Sequence, residues 1–286
     1  MGKGSLGSPP RQYRRRPSVQ QRPSSILFRP LPLVLQHDRG NDDLLTFGEH
    51  RWYTDASNQN TGFSQSAVNK PAGGDALVKS EFPMIYTFPN DEHFYAAVDT
   101  YLVDTTWVRL ESWENNGDDS QRYTYQYKTE LKITQGADVT TCLNLGARFK
   151  DLALGVDGAT KTFSADETTS SQTKGLLVDV HSRKKITLYQ RRYTFRCDMH
   201  FVLDAWREYW NAGAASGDGI ARKECTVQIM SGDYLVAEKE LSDAAVGTLQ
   251  VKAVSRSPHN NESNNKTRKR ENLTNRAKRA LSQMGV

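Results

Sequence analysis

The sequence predicts an all-β fold, mainly antiparallel and elongated, with basic, disordered N- and C-terminal tails and a C-terminal segment able to form an amphipathic helix. Aromatic and β-branched clusters recur between turn signals from Leu44 onward, and several alternate with a period of two, as half-buried strands do. No apolar run approaches the ~18 residues of a membrane-spanning helix.

From Met1 to about Pro23 the chain is Gly, Ser, Pro, Gln and Arg, a mixture that buries too little surface to offset the entropy of ordering. The next segment, Ile26 to Leu35, is apolar, but Pro30 and Pro32 exclude a helix or a central strand and predict an extended stretch laid over the body. Strands are predicted at Trp52-Tyr53, Phe82 to Phe88, Tyr101 to Val103, Trp107 to Trp113 and Tyr123 to Tyr127. Turn signals at Asn58 to Gly62, Pro71 to Gly74, Pro89 to Asp91 and Asn115 to Asp118 separate them. Further strands are expected at Leu131 to Ile133, Leu176 to Val180, Ile186 to Phe195, Cys225 to Met230, Tyr234 to Ala237 and Thr248 to Val254. Phe201 to Tyr209 stays open: Val202, Ala205, Trp206 and Tyr209 have helical spacing, Phe201, Leu203 and Ala205 share a strand face, and the context favours strand.

Charge divides the chain in three. Residues 1–37 carry +7, residues 252–286 another +7, and the net +5 therefore leaves −9 between them. The expected organisation is a basic arm over 1–37, a β-rich body over 38–255 and a basic tail over 256–286, the body dividing into a recognition part (38–125) and a second part (126–255). In the tail, Lys266, Arg268, Lys269 and Arg270 open a helix in which Leu273, Ala277, Ala280, Leu281 and Met284 share a face. Together with Arg14, Arg15 and Arg16 these are the candidate anion-binding residues, for a bilayer, nucleic acid or an import receptor; a solvated tail is the plainer alternative. Cys142, Cys197 and Cys225, odd in number and widely spaced, predict reduced structural thiols and no metal site. The N-terminus lacks the apolar core of a secretory signal, so synthesis in the cytosol is expected, with the final site left open between a nucleus and a membrane reached after release.

Residues 128–180 stand apart. Leu152-Ala153-Leu154-Gly155-Val156 leads into Asp157-Gly158, a dipeptide favouring a two-residue hairpin turn, and a hydroxyl-rich stretch from Thr160 to Thr173 follows. Folding there sets Val156 opposite Ala159, Leu154 opposite Lys161 and Leu152 opposite Phe163. One face is then apolar apart from Lys161, and the other, with Gly155, Thr160, Ala153 and Thr162, is small and hydroxylated. That split suits a spanning β-hairpin between lipid and a wet lumen. It equally suits a hairpin packed on a core with its Thr/Ser face in water.

Over Tyr123 to Gly213, through its long strand, Ser/Thr-rich amphipathic hairpin and return strands Leu176-Leu177-Val178-Asp179-Val180 and Ile186-Thr187-Leu188-Tyr189-Gln190, the chain resembles the aerolysin-like β-pore-forming proteins, the group that includes the epsilon-toxin and mosquitocidal-toxin relatives. The resemblance implies an elongated all-β body, a receptor-binding end, assembly of copies into a ring, and release of the hairpin into a barrel. It makes Leu152, Leu154, Val156, Asp157, Gly158, Lys161 and Phe163 the insertion residues, with membrane lipid or a glycan receptor and a homo-oligomer as partners.

No common catalytic motif is present, no cofactor is implied, and an enzyme is not expected. Two other classes stay open. A coat-like β domain would bind nucleic acid through its basic arms. A lectin-like module would use Trp52, Trp107, Trp113 and Tyr125, because aromatic faces stack on sugars, although most strand aromatics are core.

Overall fold

The computed structural model describes residues 45–47, 50–52, 66–88, 92–169, 171–241 and 246–286. The basic arm with Arg14, Arg15 and Arg16, and the Ile26 to Leu35 segment, lie outside them. Short strands β1 (Leu45–Phe47) and β2 (His50–Trp52) form a hairpin, followed by β3 (Ser66–Pro71), β4 (Ala76–Glu81), β5 (Met84–Phe88) and β6 (Glu92–Asn115). After β7 (Gln121–Gln135) come α1 (Ala137–Leu143), α2 (Leu145–Phe149), β8 (Ala153–Val156), β9 (Ala159–Thr162) and α3 (Ala165–Thr168). The chain returns through β10 (Gln172–Val180), β11 (Lys184–Ala205), β12 (Glu208–Ala212), β13 (Arg222–Ala237), β14 (Val246–Leu249), β15 (Lys266–Arg268) and α4 (Asn275–Gln283).

The spine is the antiparallel pair β6 and β11, of 24 and 22 residues, joined from Lys184↔Asn115 to Asp204↔His93. A strand of that length extends over about 75–80 Å. Register shifts at Leu188/Tyr189 and Thr194/Phe195 mark bulges, which change the face that each side chain meets and let stretches of β11 bury both faces. The main sheet runs β10-β7-β13-β11-β6-β3-β14, with β4 and β5 pairing further along β6. All-β architecture, mainly antiparallel, is thus as the sequence predicts. The boundary expected at 125/126 falls inside β7, and strands from both sides of it lie in one sheet.

Phe201 to Tyr209 is strand, then turn. β11 runs to Ala205, Trp206 and Arg207 take positive φ (54° and 64°), and β12 returns with Val202 opposite Asn211. Phe201, Leu203 and Ala205 face the core as the strand reading requires. Cys197 and Cys225 are buried register partners on β11 and β13, and all three thiols are free. Among the described residues no cluster of His, Cys, Asp and Glu could hold a metal ion, and no helix is long and apolar enough to cross a membrane.

Residues 256–286 correct an expectation, because they fold into the body. Leu273, Ala277, Ala280, Leu281 and Met284 are the apolar face read from the sequence, and that face is buried in the same core as Phe94, Val98 and Phe201. The Thr274 hydroxyl caps α4 by accepting from the Ala277 N–H at 3.2 Å. Upstream, the buried Asn260 amide donates to Asp99 Oδ1 (2.7 Å), Ser80 Oγ (3.0 Å) and the Glu81 carbonyl (3.1 Å), while Arg256 Nε pairs with Asp99 Oδ2 at 2.6 Å. Beside them His200 is buried, with Nδ1 3.7 Å from Glu262, and burial together with the Arg222 charge holds its pKa down to about 4.

The cationic residues of this segment are engaged as well. Lys266 pairs with Glu208 at 3.3 Å, the Arg268 guanidinium lies 4.2 Å from the Trp206 ring centre, Lys269 meets Asp218 at 2.8 Å, and Arg270 donates to the Lys278 and Val286 carbonyls. They serve the fold rather than a free basic tail. Leu281→Ala is expected to destabilise the protein by about 2–5 kcal/mol, read from the denaturant midpoint. A loss well under 1 kcal/mol would place α4 outside the cooperative core.

Candidate functional site

β7 and β10 are hydrogen-bonded neighbours, with Gln172 opposite Thr129 and Val180 opposite Gln121, yet residues 136–171 leave one and rejoin the other. That excursion holds α1, α2, the β8–β9 hairpin and α3. At its centre Asp157 and Gly158 take positive φ (47° and 84°), the conformation of the twist-matched two-residue turn. The register is the one read from the sequence: Val156↔Ala159, Leu154↔Lys161, Gly155↔Thr160 and Ala153↔Thr162. At its open end both Asp151 and Leu152 bond Phe163, where Asp151 takes a φ of 61°.

The apolar face of this hairpin lies on the core. Leu152, Leu154, Val156 and Phe163 are buried, and the Phe163 ring packs edge-on against Tyr193 (5.0 Å) and Phe195 (5.8 Å). Ala153, Thr160 and Thr162 on the opposite face are exposed. The arms are four residues each, because the residues that could lengthen them are helical in α2 and α3.

Two sets of polar contacts hold the hairpin down. The first surrounds Lys161, the one charge on the apolar face. Its ammonium donates to Glu167 Oε1 (2.8 Å) and Asp233 Oδ1 (3.0 Å), so the cation is neutralised where it leaves the core. Glu167 also accepts from the Ser164 N–H (2.7 Å) and the Gly232 N–H (2.5 Å), closing a capping box at the start of α3. Burial pushes the Glu167 pKa upward, but Lys161 and the two backbone donors outweigh it and the net shift is downward. Tyr193 donates to Asp233 Oδ2 at 3.0 Å, and burial raises its phenol well above the ordinary value against the pull of Arg191. The second set uses the backbone of Gln250 to Lys252: Asp157 N–H donates to Gln250 O (2.7 Å), Lys252 N–H to Gly155 O (2.9 Å), and Gln250 N–H to the Asp157 side-chain Oδ1 (2.6 Å).

Sequence reasoning missed Glu167, Asp233 and Gln250 to Lys252. The Ser164-Ala165-Asp166-Glu167 spacing is a capping-box pattern and would have found the first; Asp233 on β13 and the segment after β14 are distant along the chain and leave no local signal.

Of the recognition aromatics, Trp113 and Tyr125 pack together, while Trp107 lies in a different core cluster. Trp107 is fully buried, with the Arg191 guanidinium 5.6 Å from its ring centre, and this corrects its reading as a surface contact residue. Trp113 packs between Tyr123 (5.8 Å) and Tyr125 (5.6 Å) beside Val178, Val180 and Ile186. Trp52 falls in β2, and its side chain lies outside the described residues.

No protein-family model matches this chain, and neither does any curated protein. Among solved structures it is similar to the oligomeric pore-forming toxin pro-Monalysin, at 11% identity over 58% of this chain and 70% of that one, with a TM-score of 0.32. It is also similar to the parasporin-2 toxin of Bacillus thuringiensis that recognizes cancer cells, at 13% identity over 60% and 87% of the chains, with a TM-score of 0.17. These neighbours are toxins. At such scores the likeness assigns this chain no activity.

Glu167 supplies a pH prediction. Its folded pKa lies below the ordinary 4.5, so its contribution is full above that value and is lost as pH falls through the folded pKa. Glu167→Gln is expected to cost on the order of 2 kcal/mol at pH 7, and denaturant titrations of variant and wild type should converge as the medium is made more acid than the folded pKa. A gap that persists unchanged in acid would remove the charge from the account.

Proposed function

We propose that this chain is a pore-forming or membrane-binding β protein: copies assemble on a lipid surface or glycan receptor, and the chain between β7 and β10 enters the bilayer. The observation that carries the reading is the placement of the amphipathic hairpin. Neighbouring antiparallel strands need only a short turn between them, whereas here a folded excursion joins them, its apolar side stored on the core. Released, that side would expose Leu152, Leu154, Val156 and Phe163 to water, and a bilayer offers it an apolar medium. Closed barrels of alternating strands are the β structures that can cross one.

The proposal requires no cofactor and no catalytic group. Its site of action would be a membrane reached after synthesis. The nucleic-acid alternative gains no support from Lys266, Arg268, Lys269 and Arg270, whose partners lie within the body.

A tether tests it. A Cβ built on Gly155 would lie 3.0 Å from Lys252 Cβ, closer than the ~3.5–4.5 Å of a disulfide, so a shift of about half an ångström lets Gly155→Cys and Lys252→Cys bridge the hairpin to the body. With Cys142→Ser as background, wild type is expected to release dye from phosphatidylcholine/phosphatidylserine vesicles carrying natural membrane extract. The oxidised double variant should not, until reductant is added. Full release by the oxidised protein would show that the hairpin need not leave the body.

A further inference from the structure

The β7–β10 ladder and the stored hairpin have different registers. Continued unchanged, the ladder that sets Thr129 opposite Gln172 would bring Phe149 opposite Leu152 and turn at Lys150-Asp151. The stored hairpin turns at Asp157-Gly158. The two cannot be parts of one continuous hairpin.

From the geometry we infer, resting on the pore-forming reading, that the lipid-contacting element is the whole of about residues 137–164, opened in the β7–β10 register with its tip at Lys150-Asp151. In this form α1 and α2 become the first arm.

The side-chain pattern supports this register. In the sheet, odd residues of β7 (Tyr123, Tyr125, Tyr127) and even residues of β10 (Leu176, Val178, Val180) point to the covered face. Extending that parity up the first arm gives Leu131, Ile133, Gln135, Ala137, Val139, Thr141, Leu143, Leu145, Ala147 and Phe149 on one face. The intervening residues are Lys132, Thr134, Gly136, Asp138, Thr140, Cys142, Asn144, Gly146 and Arg148. Apolar and polar positions alternate well beyond the ~9–11 residues that a tilted spanning strand needs. On the second arm the same face receives Leu152, Leu154, Val156, Gly158, Thr160 and Thr162; Lys161 moves to the wet face with Asp157, and Phe163 goes with them, leaving the apolar side that it shares in the stored form. Insertion in the stored register would instead put Lys161 among lipid tails.

The same residues account for the stored form. Val139 and Leu143, and Leu145 and Phe149, are four apart and therefore share a helix face as well as a strand parity. All four are buried. The helices have seven and five residues, and neither has a side-chain N-cap: the N-cap positions are Gly136 and Asn144 in left-handed backbone. Helices so short are held by packing rather than by their own propensity. Beyond Gln172 the strands part, with Leu131 N–H still bonding the Thr169 carbonyl at 3.2 Å, so opening begins where the ladder already ends.

The test uses positions exposed in the stored form, where a label does not disturb packing. In full-length protein carrying Cys142→Ser, Cys197→Ala and Cys225→Ala, single cysteines replace Ala137, Thr141, Ala147, Thr160 and Thr162, expected in lipid, and Asp138, Asn144 and Ala159, expected in water. Each bears a nitrobenzoxadiazole dye and is added to the vesicles used for dye release. The first set should show blue-shifted emission, lost when the lipid tails carry nitroxides, and the second should show neither effect. A lipid signal at Ala159 with none at Thr160 would mean insertion in the stored register and overturn the inference while leaving the pore reading intact. Dye release without parity in residues 137–147 would also overturn it. No release by unlabelled wild type would overturn the pore reading, and this inference with it.

Discussion

The pairing of β6 with β11 is the constraint on which the rest of the molecule depends. Every other strand of the main sheet finds its hydrogen-bond partners on this pair or on a strand bonded to it, except β10, which pairs with β7 a further step out. Strands this long cannot keep one face buried without interruption, because the covering layer changes along them. The bulges at Leu188/Tyr189 and Thr194/Phe195 re-aim the side chains. They allow distinct apolar cores, one around Phe94, Phe195 and Phe201 and another around Trp107 and Tyr189, to sit on a single strand pair.

The excursion between β7 and β10 shows how one sequence satisfies two environments. Its apolar residues cover the core while helix and hairpin provide the backbone hydrogen bonds. Its polar anchors, Glu167 with Lys161 and the Gln250 to Lys252 backbone, lie at the edges. Apolar burial contributes most to holding it. The anchors fix which face turns inward, since a buried ammonium without its carboxylates would be costly. A clamp made partly of charge can be loosened without rebuilding the core.

Local signals were legible in the sequence. Asp157-Gly158 between an apolar run and a hydroxyl run set the hairpin's position and register, residue for residue, because a two-residue turn leaves no freedom in pairing. The faces of β11 and of α4 followed from period. What stayed hidden depends on distance along the chain. Lys161 looked misplaced because its partner Asp233 lies on β13. Trp107 looked available because alternation alone does not say which face is covered twice. The C-terminal residues looked like a tail because polar composition from Pro258 to Asn265 masks the side-chain bonds of Asn260 and the burial of α4. The alternation from Leu131 to Phe149 was present in the letters, but the same residues also fit helical spacing, and only the strand register of β7 and β10 separates the two.

The burial of α4 also sets an order for folding. Leu281 and Met284 close the core that Phe94 and Phe201 begin, so native contacts span most of the chain's length. Contacts of such sequence separation form slowly. Until α4 is made, the part of the core that it covers stays open, and an open apolar face is an aggregation-prone surface. The strands that carry Phe94 and Phe201 therefore cannot complete their core before α4 is available.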